Sequence, residues 1–270
     1  MNFSVLISIY SEVDSQQLDF ALDSILTQFL IPKQVVIVLD GPVPEHLIDS
    51  LNCFKSQSFT ELTLIKLEKN FGLGIALAEG LKYCKYDLVA RMDADDISEP
   101  NRFQKQIEFM IQNPGISVLG TNVREFVKEI GDLNISKQVP LNHKAIFKFS
   151  KYRNPINHPS VVFRKKNVLE AGSFKHMPFF EDYFLWVRML KLGYQFQNLE
   201  ENLLNFRIGN SMVGRRHGFR YFTYEYRFLS AIRSLNYITR TEYIVNIILK
   251  LPLRVLPIGL LKLAYRTILR

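Results

Sequence analysis

Short apolar runs alternate with amphipathic segments over the first 120 residues of the chain. Residues 3–9 and 34–39 are continuous apolar runs, as expected of strands buried inside a parallel sheet. The strands predicted in this way are 3–9, 34–39, 62–67, 87–92 and 116–120. The helices predicted from apolar residues at helical spacing are 18–29, which Pro32 ends, 43–54, 75–81 and 101–111. This alternation predicts an α/β fold with a mostly parallel central sheet, helices on both faces and right-handed crossovers.

Polar residues follow the predicted strands where each strand ends. Tyr10, Asp40, Asn70 and Asp93 take these positions after the first four strands. In open parallel sheets, ligands bind beyond the carboxyl ends of the strands. The sequence therefore predicts a nucleotide site at this edge of the sheet.

The fourth strand ends in a cluster of carboxylates, Asp93, Asp95 and Asp96. Repulsion among them costs about a kcal/mol or more per close pair, so a cation should offset it. Mg²⁺ or Mn²⁺ prefers one or two carboxylates together with phosphate oxygens, and Asp93 and Asp95 are the predicted metal ligands. The alternative is a solvated turn in which Asp96 or Ser98 caps the next helix.

Glycines at Gly72 and Gly74 precede the third predicted helix. A dinucleotide-binding fingerprint is a weak interpretation, because the third glycine is missing and the turn does not follow the first strand. The simpler interpretation is a tight turn into a helix whose N-terminus can face a phosphate.

Three later positions are candidates for chemistry. His158 lies in a loop before a short strand at 160–164 and is either a metal or phosphate contact or a structural histidine. Glu181 and Asp182 follow two phenylalanines and open a helix that Gly193 ends. Partly apolar surroundings raise a carboxyl pKa and suit a general base, whereas the alternative is that Asp182 merely caps the helix.

The last 69 residues are basic and apolar. Residues 202–270 contain 12 Lys/Arg against 2 Asp/Glu, which is a net charge of +10. Because the whole chain has a net charge of +8, the remainder has a net charge of −2. Arg215 and Arg216 lie between glycines, which indicates either a mobile loop that closes on a diphosphate or a solvated basic turn. Residues 241–270 are too interrupted by charged residues and prolines to span a bilayer.

The C-terminal residues 241–270 instead favour one or two amphipathic helices lying on a membrane. The cations predicted to face lipid headgroups are Lys250, Arg254, Lys262, Arg266 and Arg270. A helix packed on the domain, or a dimer contact, is the alternative. The apolar residues of this tail are mostly aliphatic, whereas nucleic-acid-binding segments combine basic with aromatic residues, so nucleic-acid binding is not expected.

Composition limits the remaining choices. With 47% hydrophobic residues in 270, the chain forms a real core. Its two cysteines, Cys53 and Cys84, give neither a disulfide framework nor a metal site, which fits a reducing cytoplasm. The first residues carry no basic region before the apolar run, so no signal peptide is expected.

Six motifs together resemble glycosyltransferase family 2, which has the GT-A fold, and in particular its bacterial branch that builds capsule, exopolysaccharide and O-antigen. They occur in the family's order within residues 3–220: 4–12 (SVLISIYSE), 38–41 (VLDG), 70–74 (NFGLG), 90–96 (ARMDADD), 157–160 (NHPS) and 181–186 (EDYFLW). The resemblance implies a GT-A catalytic domain over 1–220, with a nucleotide-binding half at 1–120 and an acceptor-binding half at 121–220. Residues 221–270 then form the membrane-associating helical region.

The resemblance also implies roles for individual residues. Ser8 and Tyr10 would flank the uracil of a UDP-sugar and Asp40 would hydrogen-bond it, while Asp93 would contact the ribose or the waters on the metal. The metal ligand would be Asp95 and the catalytic base Asp182, with Glu181 as the second choice. The other residues expected around the nucleotide are Glu12, Asn70, Arg91, His158, Arg215 and Arg216.

The implied enzyme is an inverting, metal-dependent hexosyltransferase at the cytoplasmic face of the bacterial plasma membrane. It would use Mn²⁺ or Mg²⁺, a UDP-sugar such as UDP-galactose, and an acceptor saccharide linked to polyprenyl diphosphate. Pro42 departs from the family's usual Asp-Asp-Gly-Ser, as does Leu39. The alternatives are a sugar-1-phosphate nucleotidyltransferase and a non-catalytic, membrane-associated protein that binds sugar nucleotides.

Overall fold

The computed structural model describes residues 1–209 and 218–255, with side chains described up to residue 250. Within these residues nine strands form one sheet with helices on both faces. The strands are β1 (Ser4–Ile9), β2 (Gln34–Leu39), β3 (Glu61–Lys66), β4 (Leu88–Arg91), β5 (Ile97–Ser98), β6 (Ile116–Phe126), β7 (Ile135–Lys137), β8 (Val162–Arg164) and β9 (Gln195–Arg207). The helices are α1 (Ser15–Leu26), α2 (Glu45–Gln57), α3 (Leu73–Tyr83), α4 (Arg102–Gln112), α5 (His143–Phe149), α6 (Lys165–Glu170), α7 (Glu181–Lys191), α8 (Gly218–Ser234) and α9 (Arg240–Val255), with a short 3-10 helix at His158–Ser160.

The sheet is parallel in its first half and mixed in its second. Its order is β3-β2-β1-β4-β8-β6-β9-β5, with β7 paired to β6. Strands β1 to β4 pair in parallel, as the sequence predicts. After β4, strand β8 is antiparallel to both of its neighbours, β4 and β6, whereas β6 and β9 are parallel to each other.

Alternate side chains of the central strands enter two separate cores. Val5, Ile7 and Ile37 pack with α1, α2 and α4 on one face, whereas Leu6 and Val36 pack with α3, α7 and α8 on the other. This period of two is what a strand buried on both sides requires. Both faces are therefore covered, and the carboxyl edge of the sheet remains for chemistry.

Several predicted boundaries differ from the structure. Helix α1 ends at Leu26, and Phe29, predicted inside it, lies outside and is 72% exposed. Strand β6 continues six residues beyond its predicted end, and β9 was not predicted. Helix α8 was predicted only as part of a helical region over residues 221–270, without bounds of its own.

The C-terminal helix packs on the domain along one face. Helix α9 continues through Pro252, where the sequence indicated an interruption. Asn246 donates to the carbonyl oxygen of Lys151, and Lys250 lies 3.5 Å from the buried carboxylate of Glu225. The prediction that Lys250 faces headgroups is therefore wrong, because its ammonium group pairs inward. No helix in the described ranges has the length and apolarity needed to cross a bilayer.

Candidate active site

The carboxyl ends of β1 to β4 lie at one edge because these strands are parallel. Tyr10, Asp40, Asn70 and Asp93, each shortly beyond the end of its strand, therefore come to the same edge. Ser8, near the end of β1, is half-buried and Glu12 is exposed. The carbonyl oxygen of Tyr10 accepts from the amide of Val13, which closes the turn after β1.

Asp40 anchors the loop that leads into α3. Its two carboxylate oxygens accept from the backbone amides of Phe71, at 2.7 Å, and Gly72, at 2.9 Å. The side chain of Asn70 also accepts from Gly72, whose φ of +87° favours glycine. The tight turn into a helix is therefore confirmed. A uracil contact by Asp40 would use the lone pairs that these amides leave free.

The acidic turn after β4 brings three carboxylates together. Ligand atoms of Asp93, Asp95 and Asp96 lie within 4.8 Å of one another. Asp96 is fully buried, and its Oδ1 accepts from the amide of Arg207 at 2.8 Å. Its Oδ2 is buried without a partner among the described residues. The alternative in which Asp96 or Ser98 caps the next helix is wrong, because the capping position belongs to Asn101 and no side chain bonds there.

The electrostatics of this turn fit a divalent cation. Burial, together with the charge of Asp93, raises the pKa of Asp95 to about 6, and burial raises that of Asp96 well above its usual value. Ionised carboxylates in such a place need a positive partner. A hard cation suits an all-oxygen set of this kind, so the residues present fit Mg²⁺ or Mn²⁺.

Arg207, at the end of β9, contacts the backbone of the acidic turn. Its Nε donates to the carbonyl oxygen of Asp95 at 3.0 Å, and its guanidinium lies 4.3 Å from the ring centre of Phe126. Arg207 was not predicted as a site residue, because no motif marks it and strand β9, which it ends, was not predicted.

Arg91 is close to the acidic turn and also to Asp182. Its side chain is 1% exposed and its Nη2 donates to Asp93. Its Nε and Nη1 are buried without a partner in the part of the chain that the structure describes. The charges of Asp93, Asp96 and Asp182 all act on it.

Glu181 and Asp182 form the first turn of α7. Phe180 takes the capping position, so the alternative in which Asp182 caps this helix is wrong. Asp182 is 7% exposed, and its Oδ2 accepts from the side-chain amide of Asn154 at 2.6 Å. Burial raises the pKa of Asp182, and the Asn154 hydrogen bond opposes this increase. Burial and the neighbouring Asp182 raise the pKa of Glu181 to about 7.

His158 lies beside Asp182 and outside the acidic turn. Its Nδ1 is 3.9 Å from Oδ2 of Asp182, and its ring packs against Phe174 and Trp186. Burial, followed by the charge of Arg91, lowers its pKa well below the usual value, so the imidazole is neutral at pH 7. Asn154 was not predicted as a site residue, although it lies four positions before His158.

The two predicted cations of the basic loop, Arg215 and Arg216, lie outside the described residues. The structure therefore gives no position for them. The other predicted site residues all lie on the carboxyl edge or on the elements that border it.

Comparisons with known proteins agree with this architecture. The family described as "Glycosyl transferase family 2" matches residues 4–172. The amylovoran biosynthesis glycosyltransferase AmsE of Erwinia amylovora is 38% identical over 97% of both chains. A UDP-Gal:alpha-D-GlcNAc-diphosphoundecaprenol beta-1,3-galactosyltransferase of Escherichia coli is 35% identical over 99% of this chain and 96% of its own.

Solved structures extend the agreement to the fold. TarS 1-349 of S. aureus in complex with UDP-GlcNAc matches with a TM-score of 0.65 and 17% identity, over 85% of this chain and 66% of its own. The mannosyltransferase PcManGT of Pyrobaculum calidifontis, in complex with GDP-Man and Mn²⁺, matches with a TM-score of 0.65 and 17% identity, over 85% of this chain and 64% of its own. The expected GT-A fold is confirmed.

Proposed function

Because the chain belongs to glycosyltransferase family 2 and is a transferase, we propose that it moves a sugar from a UDP-sugar to a lipid-linked saccharide in the biosynthesis of a bacterial surface polysaccharide. Galactose is the donor sugar we propose first, since a relative with 35% identity is named for UDP-Gal. The relative's acceptor, a GlcNAc-diphosphoundecaprenol, is the model for a polyprenyl diphosphate acceptor.

The observation that carries this proposal is the pairing of two carboxylate groups at one sheet edge. Asp93 and Asp95 belong to the cluster that fits a cation, and Asp182 is buried near enough for its charge, like that of Asp93, to act on Arg91. A divalent cation held by Asp93 and Asp95 would neutralise the charge that develops on the leaving diphosphate. Ser8 and Tyr10 would hold the nucleoside above the carboxyl ends of the strands.

Asp182 is the base in this proposal. Its Oδ2 is held by Asn154, which leaves Oδ1 to take the proton from the acceptor hydroxyl. The imidazole of His158 next to Asp182 is neutral, so it adds no positive charge beside the base. The hydroxyl oxygen then attacks the anomeric carbon from the face opposite the diphosphate, so one displacement inverts the configuration. Glu181 remains the second choice, since its raised pKa of about 7 keeps part of it protonated at neutral pH.

Membrane contact is the remaining part of the proposal. On α9 the outward side chains of Ile244, Ile248 and Leu249 are 55–63% exposed, while Asn246 faces the domain. Such a stripe suits the boundary of a lipid layer at the cytoplasmic face of the plasma membrane. Sedimentation with vesicles containing anionic lipid tests this contact: the protein should sediment with them, and the triple change of these side chains to Ser should abolish the binding.

The test of the function is product analysis with the purified protein, Mn²⁺ and a panel of UDP-sugars. Release of free UDP together with an extended acceptor supports sugar transfer, whereas free pyrophosphate would indicate a nucleotidyltransferase. D95A should abolish turnover, and D182N should abolish transfer while UDP still binds in the presence of Mn²⁺. Full turnover by either variant would remove that residue from the mechanism.

A further inference from the structure

A cavity lies between the segment that precedes α7 and helix α8. Its volume is about 380 Å³. It is lined on one side by the segment before α7 and on the other by α8, through His176, Met177, Pro178, Tyr224 and Arg227.

The segment that forms one wall is tied to both parts of the active site. A Cβ placed on Gly74 would lie 2.5 Å from the carbonyl oxygen of Lys175 and 3.0 Å from the Cβ of Glu181. A Cβ on Gly72, whose amide Asp40 holds, would lie 4.0 Å from Nδ1 of His176. The cavity wall therefore begins at the nucleotide loop and leads directly into the catalytic helix α7.

The opposite wall, α8, is attached to the same segment by aromatic contacts. The ring centre of Phe179 lies 5.1 Å from that of Tyr221 and 5.7 Å from that of Tyr224. Phe179 has a φ of +67°, a strained value for this residue that the surrounding contacts must maintain. Because Phe179 is two residues before Glu181, the first residue of α7, the segment that lines the cavity continues into the helix that carries the proposed base.

The lining has the chemistry of an anion site with an aromatic platform. None of the five lining residues is acidic. Arg227 and His176 are exposed, and Arg227 has no ion pair with any residue in the described ranges. An unpaired guanidinium binds phosphate oxygens in a bidentate manner, and the half-buried ring of Tyr224 offers an apolar face to a sugar or a lipid chain.

We propose that this cavity is the acceptor subsite, in which Arg227 and His176 contact the diphosphate of a lipid-linked acceptor and Tyr224 packs against the sugar that carries it. The inference rests on the proposed function for the identity of the acceptor.

The test compares R227Q with R233Q on two acceptors. Arg233 lies six residues further along α8 and donates to Asn236, two residues beyond the end of that helix, so R233Q is the matched control. One acceptor is an N-acetylhexosamine diphosphate with a short alkyl chain, and the other is the neutral alkyl glycoside of the same sugar. Each variant is measured with UDP-galactose and Mn²⁺, and UDP affinity is measured separately by titration.

We expect R227Q to lower kcat/KM for the diphosphate acceptor by about 10- to 100-fold, the loss typical of one charge-assisted contact. The neutral acceptor and the affinity for UDP should be unchanged, and R233Q should behave as the parent protein. Y224A should weaken both acceptors, whereas Y224F should not. Equal losses on both acceptors, or a loss of UDP affinity, would overturn the proposal, the latter by assigning Arg227 to the leaving diphosphate.

Binding measurements separate this inference from the proposed function. If the parent protein transfers no sugar to either acceptor, the diphosphate compound is titrated into protein loaded with UDP and Mn²⁺. Binding that is lost in R227Q and kept in R233Q supports the subsite even though the function fails. Equal or absent binding in all three proteins overturns the subsite. The subsite is also overturned if R227Q weakens only sedimentation with vesicles of anionic lipid and not binding of the diphosphate compound.

Discussion

Replacing Gly74 by Ala tests whether the nucleotide loop and the catalytic helix are packed as one unit. Gly74 is the second residue of α3, where Ala would ordinarily stabilise a helix by up to about 1 kcal/mol. Here the added methyl group would lie 2.5 Å from a backbone oxygen, that of Lys175, and 3.0 Å from the Cβ of Glu181. A backbone atom cannot rotate away as the end of a side chain can, so the segment before α7 must move.

The expected cost of this overpacking is about 1–3 kcal/mol, which outweighs the gain in helix propensity. For a chain of this size each kcal/mol lowers Tm by about 2–4 °C. A displacement of the catalytic carboxylates near 1 Å lowers turnover by about 10²-fold. We therefore expect G74A to lose more activity than stability, because the moving segment carries Glu181 and Asp182.

The assay is UDP release from UDP-galactose with acceptor, together with a thermal melt. Gly115 supplies the control, since a Cβ there would meet nothing within 4 Å. G115A should match the parent protein in both measurements. Gly74 is not packed against the segment before α7 if G74A melts at or above the parent Tm and turns over within about twofold of G115A, the range of an ordinary surface substitution.

Three further variants probe the supports of the site. N154A removes the hydrogen bond that opposes the raised pKa of Asp182, so the acid limb of the kcat/KM profile should move to higher pH; an unmoved limb would exclude Asp182 as the titrating base. R207A removes the side-chain contact to the acidic turn and should lower the affinity for Mn²⁺ by about tenfold, as measured from the thermal stabilisation that Mn²⁺ produces. An unchanged affinity would count against this role of Arg207. F228A empties a fully buried site stacked at 4.8 Å on Phe180 and should cost about 3–5 kcal/mol in chemical unfolding; a loss below about 1 kcal/mol would show that α8 is not anchored there.

The nucleotide half of the fold was predictable because its signals are local. Strands β1 and β2 are predominantly apolar runs, and α1 between them repeats apolar residues at helical spacing. Strand β9 was missed since Gln195–Arg207 mixes amide and acidic residues into its sequence and pairs with β6 through register shifts. Helix α8 was predicted only within the helical region 221–270, and its bounds were not, because aromatic residues such as Tyr221 and Phe228 do not distinguish a helix from a strand.

The motifs gave the identity of the acidic turn but not its environment. Asp93 and Asp95 were predicted as metal ligands from their spacing, and that assignment remains a prediction. The burial of Asp96 depends on the amide of Arg207, which is 111 residues away in the chain. The restraint on Asp182 comes from Asn154, 28 residues before it. Partners at such separations follow from tertiary packing, which no local pattern encodes.

Arg91 makes the two carboxylate groups interdependent. Its guanidinium is almost fully buried and bonds to Asp93, while the charges of Asp96 and Asp182 also act on it. A buried cation with unpaired donors is stable only because these anions surround it. Removing the charge of Asp182 therefore weakens the field that holds Arg91, and through Arg91 the position of Asp93. A loss of turnover in D182N is evidence for a missing base only if the affinity for UDP with Mn²⁺ is unchanged, and a D93N variant should in turn alter the pH profile that Asp182 controls.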